Sequence, residues 1–374
     1  MNQYITTSNC IPVAGFQRAI MYDLVKMKFE LIPNSLCDFL DLVNKQDIHL
    51  LLQNTNEDDR EVLNEYISFC IEKEYVLEIP EQVPKNCFPK FNLEFETPSI
   101  ISNICVNLNK ESTYDFNNLK KILLITKCYN IQLICDSNYD FKNLINDISI
   151  ISEIGLESIE LIIPYIPDFN YVNIVEKHKN ISFVFVYNSP EDKFIKTSFC
   201  GLQQVLFSNR KFEFTNNKSL EFFNVHISLF TESQKYNTYF NRKLFIGCNG
   251  EIKNSPESLT IFGNINDLEI ADDIIHIINS TEFQNYWFIN KGIIDVCKQC
   301  EFRHMCVDNR IPKQRNIKEW YMETECNYNP FIAKWDYEEG YKTLLECGII
   351  SNKDGFSIKN KKLETVNNEL WGND

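Results

Sequence analysis

The sequence predicts an α/β fold in three parts, and three observations lead to this prediction. An N-terminal stretch combines short alternating strands with amphipathic helices, a middle stretch repeats short apolar strands, and a C-terminal stretch carries closely spaced cysteines. Pro80, Pro84 and Pro89 lie in a polar stretch that marks a linker after the first part. The predicted domains are residues 1–90, 91–235 and 236–374.

The N-terminal domain is predicted to be winged-helix-like. Residues 19–24 and 28–33 alternate apolar with polar side chains around a short turn, which is typical of a half-buried hairpin. Three helices are expected next: one capped by Asn34, one at residues 48–52 and one from Asp58 or Asp59 to about residue 71. Residues 74–79 predict a closing strand, which Pro80 ends.

The middle domain is predicted to contain parallel β/α units. Its apolar strands are expected at residues 101–106, 131–135, 159–163, 181–186, 204–207 and 225–230. Short buried strands that alternate with amphipathic or polar segments are typical of a parallel sheet with helices on its faces. A partial (β/α) barrel is the architecture we expect here.

Composition argues against two classes of partner. The chain has 374 residues and a formal net charge of −15, which argues against nucleic acid or an anionic membrane surface, since both need a basic face. No apolar run approaches membrane-spanning length, and the first residues show no signal region. We therefore expect a cytoplasmic protein whose 14 cysteines are reduced.

The C-terminal cysteines form the clearest candidate site. Cys297, Cys300, Cys306 and Cys326 have the spacing C-x2-C-x5-C-x19-C. The first gap lets one tight turn present two thiolates to the same metal, and the other two cysteines complete a four-thiolate set. Such a set suits a tetrahedral zinc or an iron–sulfur cluster, and spacing alone does not separate them. His304, inside the motif, is a candidate hydrogen-bond partner of a cluster sulfide or a solvated side chain.

The residues around these cysteines resemble the SPASM domain, the twin-cluster extension of peptide-modifying radical SAM enzymes. The resemblance covers roughly the last third of the chain. It includes Cys297-Lys-Gln-Cys300-Glu-Phe-Arg-His-Met-Cys306, the upstream Cys248-Asn-Gly250 and the downstream Cys326-Asn-Tyr-Asn-Pro330. The resemblance implies that Cys297, Cys300, Cys306 and Cys326 bind one [4Fe–4S] cluster, with zinc as the alternative.

The chain departs from the SPASM pattern at the other cluster of the pair. The family pattern expects cysteines at the positions of Leu268 and Arg310, which together with Cys248 would hold that cluster. Of this set only Cys248 is a cysteine, and Cys347 is a spare thiol without an assigned place. The resemblance therefore implies a single cluster, with Cys248 and Cys347 as possible additional metal ligands.

The middle domain resembles a degenerate radical SAM core. Enzymes of that family carry C-x3-C-x2-C after the first barrel strand, where three thiolates leave one iron open to S-adenosylmethionine. This chain has Ile104-Cys-Val-Asn-Leu-Asn-Lys-Glu-Ser-Thr-Tyr114 at that place, and the triad occurs nowhere in the sequence. S-adenosylmethionine is therefore not an expected cofactor, and the sequence leaves open whether the chain is an enzyme.

The N-terminal domain is similar in its order of strands and helices to the recognition elements that bind leader peptides in peptide-maturation systems. The similarity implies that the strand at residues 74–79 pairs with an extended precursor peptide. Tyr66, Tyr75, Val76 and Leu77 are the candidate peptide-binding residues.

Taken together, the three parts resemble the SPASM protein of grasp-with-spasm cassettes, in which an ATP-grasp ligase, a SPASM protein and a precursor peptide occur together. This resemblance implies an accessory factor that binds a ribosomally synthesised, post-translationally modified peptide and works with the ligase. Two other functions stay open at this point. One is a redox enzyme that acts on peptide side chains through its cluster, and the other is a structural zinc-binding interaction protein.

Overall fold

The computed structural model of the chain describes residues 2–196, 203–212, 220, 223–267 and 270–372. The chain forms two compact units. The first unit contains residues 1–95, 217–238 and 289–374, and the second contains residues 96–216 and 239–288. Across the described ranges, no helix has both the length and the apolar character needed to cross a bilayer.

The first unit begins with the predicted hairpin, three helices and closing strand, preceded by two further strands. Its elements are β1 (Asn2–Thr6), β2 (Cys10–Ala14), β3 (Ala19–Asp23), β4 (Lys28–Ile32), α1 (Asn34–Lys45), α2 (Ile48–Asn54), α3 (Glu57–Glu72) and β5 (Val76–Pro80). Strands β2, β3 and β4 form one antiparallel sheet, and β1 pairs with β5 in another. Pro12 is tolerated inside β2 because β2 is an edge strand, where a missing N–H leaves no ladder bond unmade.

Helix α1 does not begin as predicted. The residue before it is Pro33, and Asn34 is the first helical residue, so the predicted Asn34 cap is wrong. The Asn34 amide instead donates to the carbonyls of Gly15 and Phe16, each at 3.3 Å, in the turn between β2 and β3. Packing stabilises the helix in place of a side-chain cap. Its buried face consists of Leu36, Phe39, Leu40 and Val43.

A sheet of nine strands, most of them parallel, dominates the second unit, as the α/β prediction required. Its elements are β6 (Asn103–Leu108), α4 (Phe116–Thr126), β7 (Asn130–Cys135), α5 (Phe141–Ser152), β8 (Ser158–Pro164), α6 (Tyr171–Lys177), β9 (Ile181–Tyr187), β10 (Lys193–Lys196), β11 (Gln204–Phe207), β12 (Lys243–Ile246), β13 (Glu251–Lys253), β14 (Gly263–Asn264) and α8 (Ile270–Asn279). The strand order is β10-β11-β9-β8-β7-β6-β12-β13-β14. The six strands from β11 to β12 are parallel, and antiparallel strands flank them.

One predicted strand of this sheet is wrong. Residues 225–230 lie outside the sheet, where an irregular stretch leads into helix α7 (Ile227–Lys235) of the first unit. The error has a physical reason, because a short apolar run fits a strand and a buried helix equally well. The place beside β6 is taken by β12, whose residue Lys243 lies opposite Asn103 in parallel register.

The C-terminal part of the first unit consists of short elements. They are 3-10 helices at Lys291–Ile293, Cys297–Gln299 and Glu301–His304, strands β15 (Lys313–Asn316), β16 (Glu319–Tyr321), β17 (Tyr328–Asn329), β18 (Lys334–Trp335), β19 (Ile349–Asn352) and β20 (Gly355–Ile358), and helix α9 (Asn360–Trp371). Each strand pairs with the next in an antiparallel hairpin: β15 with β16, β17 with β18 and β19 with β20.

The core of the first unit joins the N-terminal sheet to the cysteine segment. Ile20 and Tyr22 of β3 belong to the same buried hydrophobic cluster as Phe302 and Met305, which lie between the cysteines. Residues that are far apart in sequence therefore share one hydrophobic core. The three-domain division at residues 90 and 235 stays a prediction.

Candidate metal centre

Tight turns position the first two cysteines. Cys297 begins a 3-10 helix, and the Cys300 N–H donates to the Cys297 carbonyl at 3.0 Å. Before it, Val296 has φ 65° and ψ −53°, and the Cys297 N–H donates across it to the Asp295 carbonyl at 2.7 Å. A β-branched residue is strained in this conformation. Strain of this kind persists only where the surroundings hold it in place.

Asp295 makes some of the contacts that stabilise this strained conformation. Its carboxylate accepts hydrogen bonds from Lys298 Nζ at 3.0 Å and from Arg315 Nη2 at 2.9 Å. Arg315 also donates to the backbone carbonyl of Asn352, at 2.7 Å. Because Asn352 ends β19, the strained turn before Cys297 is fastened to the β19–β20 hairpin.

The segments of the other two cysteines are held by neighbouring side chains. Thr238 Oγ1 donates to the Cys306 carbonyl at 2.8 Å. Arg310 Nη1 donates at 2.6 Å to the carbonyl of Thr324, two residues before Cys326. Arg310 thereby connects the segment that follows Cys306 to the segment that precedes Cys326.

The four predicted cysteines lie close enough to influence one another electrostatically. Burial raises the pKa of the Cys300 thiol well above its usual value, and the negative charges of Glu301, Cys306 and Cys326 raise it further. Burial also raises the pKa of Cys297, with a smaller contribution in the same direction from Cys326. Cys326 therefore acts on both Cys297 and Cys300, and Cys306 acts on Cys300, which brings the four residues into one electrostatic neighbourhood.

Two buried cations lie beside this group of thiols. Lys291 Nζ donates to Asp308 Oδ2 at 2.7 Å, and Arg310 contacts the same carboxylate through Nη2 at 2.7 Å and Nε at 3.0 Å. Lys291 is 4% exposed and Asp308 is fully buried. Against the effect of burial, Lys291 and Arg310 both lower the pKa of Cys297. Lys291, Asp308 and Arg310 together carry a net positive charge of one.

This donor set fits an anionic, thiolate-bound metal group. Four cysteine thiolates around zinc or an iron–sulfur core give a negatively charged complex, which a buried positive charge stabilises. Throughout the part of the chain that the structure describes, no group of three or more His, Cys, Asp or Glu side chains is arranged to hold a metal ion.

A buried carboxylate connects the cysteine segment to the N-terminal sheet. Glu301, directly after Cys300, is fully buried and accepts from Arg18 Nε at 2.8 Å and from the Tyr328 hydroxyl at 2.5 Å. Tyr22 of β3 donates its hydroxyl to the Glu301 carbonyl at 2.9 Å. Gly15 is required nearby, since a Cβ there would lie 2.6 Å from the Arg18 carbonyl and 2.9 Å from Glu301 Oε2.

His304 is held by helix α7. Its Nδ1 lies 2.8 Å from Ser233 Oγ and 3.1 Å from Gln234 Nε2. Burial, helped by the charge of Arg303, lowers the pKa of His304 to about 3, so the imidazole is neutral at physiological pH. The Gln234 Nε2 atom can only donate, so His304 Nδ1 acts as the acceptor and the ring proton lies on the histidine Nε2.

The two additional candidate ligands lie in different units. Cys248 is half-buried, two residues after β12 in the second unit. Cys347 is buried in the first unit, in a hydrophobic core with Phe331 and Ile349, and its sulfur accepts from Asn329 Nδ2 at 3.4 Å. The structure gives Cys347 the surroundings of a core thiol, and its role as a metal ligand stays a prediction. Leu268, the other position where the SPASM pattern expects a cysteine, lies outside the described residues.

The candidate peptide-binding residues differ in exposure. Tyr75 and Val76 are buried in the core, and the Tyr66 hydroxyl lies 2.6 Å from Ser35 Oγ of α1. Leu77 is exposed, but its backbone N–H and C=O groups face β1. Thr7 and Tyr75 form a hydrogen-bonded pair, and such pairs recur at every second residue of an antiparallel ladder, which places Leu77 in the next one. The same alternation directs the backbone groups of Val76 away from β1. Peptide pairing along this edge stays a prediction.

The loop after β6 is where a radical SAM core would carry its cysteine triad. Here it is a tight turn closed by its own residues: the Ser112 N–H donates to the Asn109 carbonyl at 3.1 Å, and the Asn109 N–H donates to Ser112 Oγ at 3.0 Å. Tyr114, at the end of this loop, is buried, and its hydroxyl donates to the Asn107 carbonyl at 3.4 Å. The residues at this position pack and close a turn.

Sequence reasoning missed most of the residues around the cysteines. Arg310 was visible as a departure from the SPASM pattern, but its buried partners Lys291 and Asp308 gave no such signal. Glu301 directly follows Cys300, and because most glutamates are exposed, the sequence gives no sign that this one is buried. Arg18 lies almost three hundred positions away from Glu301 in sequence, so only the fold brings them together.

Comparisons with protein-family models and with curated protein sequences give no match. Among solved structures, SuiB from Streptococcus suis is similar at 11% identity and a TM-score of 0.25, over 81% of this chain and 94% of SuiB. SuiB bound to S-adenosylmethionine gives 10% identity, a TM-score of 0.24 and the same shares of the two chains. SuiB bound to the precursor peptide SuiA gives 10% and 0.25, over 82% of this chain and 94% of SuiB. At these values the similarity carries no conclusion about function, which must be argued from the chain's own residues.

Proposed function

We propose that Cys297, Cys300, Cys306 and Cys326 hold one [4Fe–4S] cluster. The observation that carries this proposal is the net positive charge of Lys291, Arg310 and Asp308 buried beside the coupled thiols. A single zinc would hold four sulfurs at about 2.3 Å from one centre, whereas a cluster distributes its thiolates over several irons. The resemblance of the residues around these cysteines to the SPASM domain supports the cluster over zinc.

The cluster, when bound, supplies structural cross-linking or one-electron transfer. Four cysteines saturate its irons, so no iron is left open for a substrate. The chain's own residues position the ligands: Asp295 supports the turn before Cys297, and Arg310 connects the segments of Cys306 and Cys326. The site therefore favours a binding or electron-carrying role over independent catalysis.

The wider function follows from the resemblance to grasp-with-spasm proteins. In this proposal the chain is a cytoplasmic accessory factor that binds the precursor of a ribosomally synthesised peptide and presents it to an ATP-grasp ligase. It does not cleave S-adenosylmethionine, because the loop after β6 has no three-cysteine motif. The Tyr22 and Arg18 contacts with the Glu301 segment support coupling between the N-terminal sheet and the cysteine segment.

Mass spectrometry of the precursor peptide tests this function. A candidate precursor peptide and a candidate ATP-grasp ligase, sought among the neighbouring genes, are incubated with ATP, with and without the reconstituted protein. We expect a mass change that requires all three components and no 5′-deoxyadenosine when S-adenosylmethionine is added. A ligase that modifies the peptide equally well alone would overturn the accessory role. A mass change produced by this protein and a reductant alone would instead assign a redox activity.

A further inference from the structure

A groove of about 590 Å³ lies in the first unit between its first two strands and the segment after β5. One side is formed by the end of β1, the following turn and the start of β2, and the other by residues 85–93. Its apolar lining includes Ile5, Ile11, Phe88, Phe91 and Leu93. Phe88 is 38% exposed and Leu93 is 37% exposed, so both present apolar surface to solvent in the groove.

The groove follows the free edge of β2. The side chains of Cys10 and Ile11 lie on opposite faces of β2, because each packs with a different hydrophobic core. A groove that is lined by both residues therefore runs along the edge of the strand. The Leu24 N–H donates to the Asn9 carbonyl at 3.0 Å, and the Gly15 N–H to the Arg18 carbonyl at 2.8 Å. This register directs the carbonyls of the intervening even-numbered residues, 10 and 12, away from β3. The edge therefore offers hydrogen-bond acceptors to the N–H groups of an extended chain.

The charge of the groove differs in sign from that of the whole chain. Lys85 and Lys90 line it, and its described lining contains no carboxylate. Lys85 Nζ donates to the Val43 carbonyl at 2.9 Å, which fixes its position without neutralising its charge. In a chain of net charge −15, a basic apolar groove selects for an acidic partner and against basic ones.

One side of the groove adjoins the core around the cysteines. Ile11 and Phe91 both pack against the hydrophobic cluster that contains Phe302, and Cys300 and Cys326 pack against that same cluster. A segment seated in the groove would therefore share its supporting core with the candidate metal centre.

From these observations we propose that the groove binds an acidic, apolar segment of a peptide in extended conformation, along the free edge of β2. The inference rests on the proposed peptide partner and gives it a site that differs from the edge of β5. Recognition combines main-chain hydrogen bonds to the carbonyls of Cys10 and Pro12, apolar contacts with Phe88 and Leu93, and attraction to Lys90.

Fluorescence anisotropy with the full chain tests the groove. The probe is a short fluorescein-labelled synthetic peptide that alternates leucine with glutamate, and its counterpart carries lysine in place of glutamate. We expect the acidic probe to bind about tenfold more tightly than the basic one. Lys90→Glu should weaken binding of the acidic probe about fivefold, and Phe88→Ala should weaken it by a similar factor through lost apolar contact.

Lys353→Glu is the matched control, because it makes the same charge change at an exposed turn between β19 and β20. It should leave binding of the acidic probe unchanged. If the Lys90→Glu and Lys353→Glu variants bind the acidic probe with equal affinity, or if the protein shows no preference for the acidic probe, the proposal that this groove binds the peptide is wrong. Neither result would contradict the proposed accessory role, which the ligase assay described above tests separately.

Discussion

Cys297 of the first unit differs in its electrostatic surroundings from Cys105 and Cys135 of the second. In the second unit, Cys135 ends β7 and Cys105 lies on β6, and burial strongly raises the pKa of both thiols, with nearby carboxylates adding to the effect. In the first unit, Cys297 is half-buried, and Lys291 and Arg310 oppose the effect of burial on its pKa. Burial alone keeps a thiol protonated and inert, whereas burial beside cations prepares it to act as a thiolate ligand. Among these three cysteines the effect marks Cys297 as the one prepared to bind a metal, whereas Cys300 lies beside the negative charge of Glu301, which raises its pKa.

The largest expected effect comes from removing one ligand. Cys300→Ser should abolish most of the bound iron and sulfide and destabilise the first unit, because metal binding and local folding are coupled. The matched variant in the other unit is Cys135→Ser. It should retain iron and sulfide while lowering stability by about 1–3 kcal/mol, the cost of burying an unsatisfied hydroxyl. Metal analysis and chemical denaturation of both variants check this, and loss of iron in the Cys135 variant would break the comparison.

The cations should matter next. Arg310→Met removes one of the two cations that contact Asp308, and it removes the hydrogen bond to the Thr324 carbonyl. Removing one partner of a buried ion pair costs about 3–5 kcal/mol. We expect slower cluster assembly and faster loss of iron to a chelator. Arg210→Met, at an exposed site in the second unit, serves as the control. Identical chelation rates in the two variants would contradict a role for the buried charge.

The link to the N-terminal sheet gives a smaller effect. Arg18→Met removes the guanidinium from the fully buried Glu301 and should lower stability by about 2–4 kcal/mol. The double variant Arg18→Met/Glu301→Gln should recover part of this loss, since the carboxylate charge is gone and the Tyr328 hydroxyl can still donate to the amide oxygen. Urea denaturation of the single and double variants measures the coupling. Additive losses would mean that the two residues do not interact.

The smallest expected effect is a pH dependence confined to the second unit. Burial, and then the charge of Lys177, lower the pKa of His178, which follows α6. The unfolded chain therefore takes up a proton more readily than the folded one. The stability that this histidine contributes is complete above its unfolded pKa of about 6.5 and is lost as pH falls from there through the lower folded value. Amide hydrogen exchange in α6 should become faster at acidic pH in the wild type and less so in the His178→Gln variant. Equal pH profiles of the two proteins would contradict a contribution of His178 to this pH dependence.

The sequence was sufficient for features that depend on local pattern. Five of the six predicted middle strands are present because runs such as Gln204–Phe207 combine buried apolar residues with flanking polar segments. The run at residues 225–230 failed because its apolar spacing also suits α7. The spacing of Cys297, Cys300 and Cys306 identified the candidate site without any structure.

The surroundings of the site depend on long-range contacts that no local pattern carries. Arg18 and Glu301 are joined only because β3 packs against the cysteine segment. Lys291 and Asp308 read as ordinary surface charges, and their burial together follows from the fold. The groove beside β2 could not be predicted from the sequence either, because its two sides come from separate stretches of the chain.

The most direct test of the central claim is the iron and acid-labile sulfide content of wild-type protein purified without oxygen. The account predicts brown protein with one four-iron, four-sulfide cluster per chain, which remains when S-adenosylmethionine is added and gives no 5′-deoxyadenosine. Stoichiometric zinc without sulfide would contradict it, and would make the four cysteines a structural zinc site.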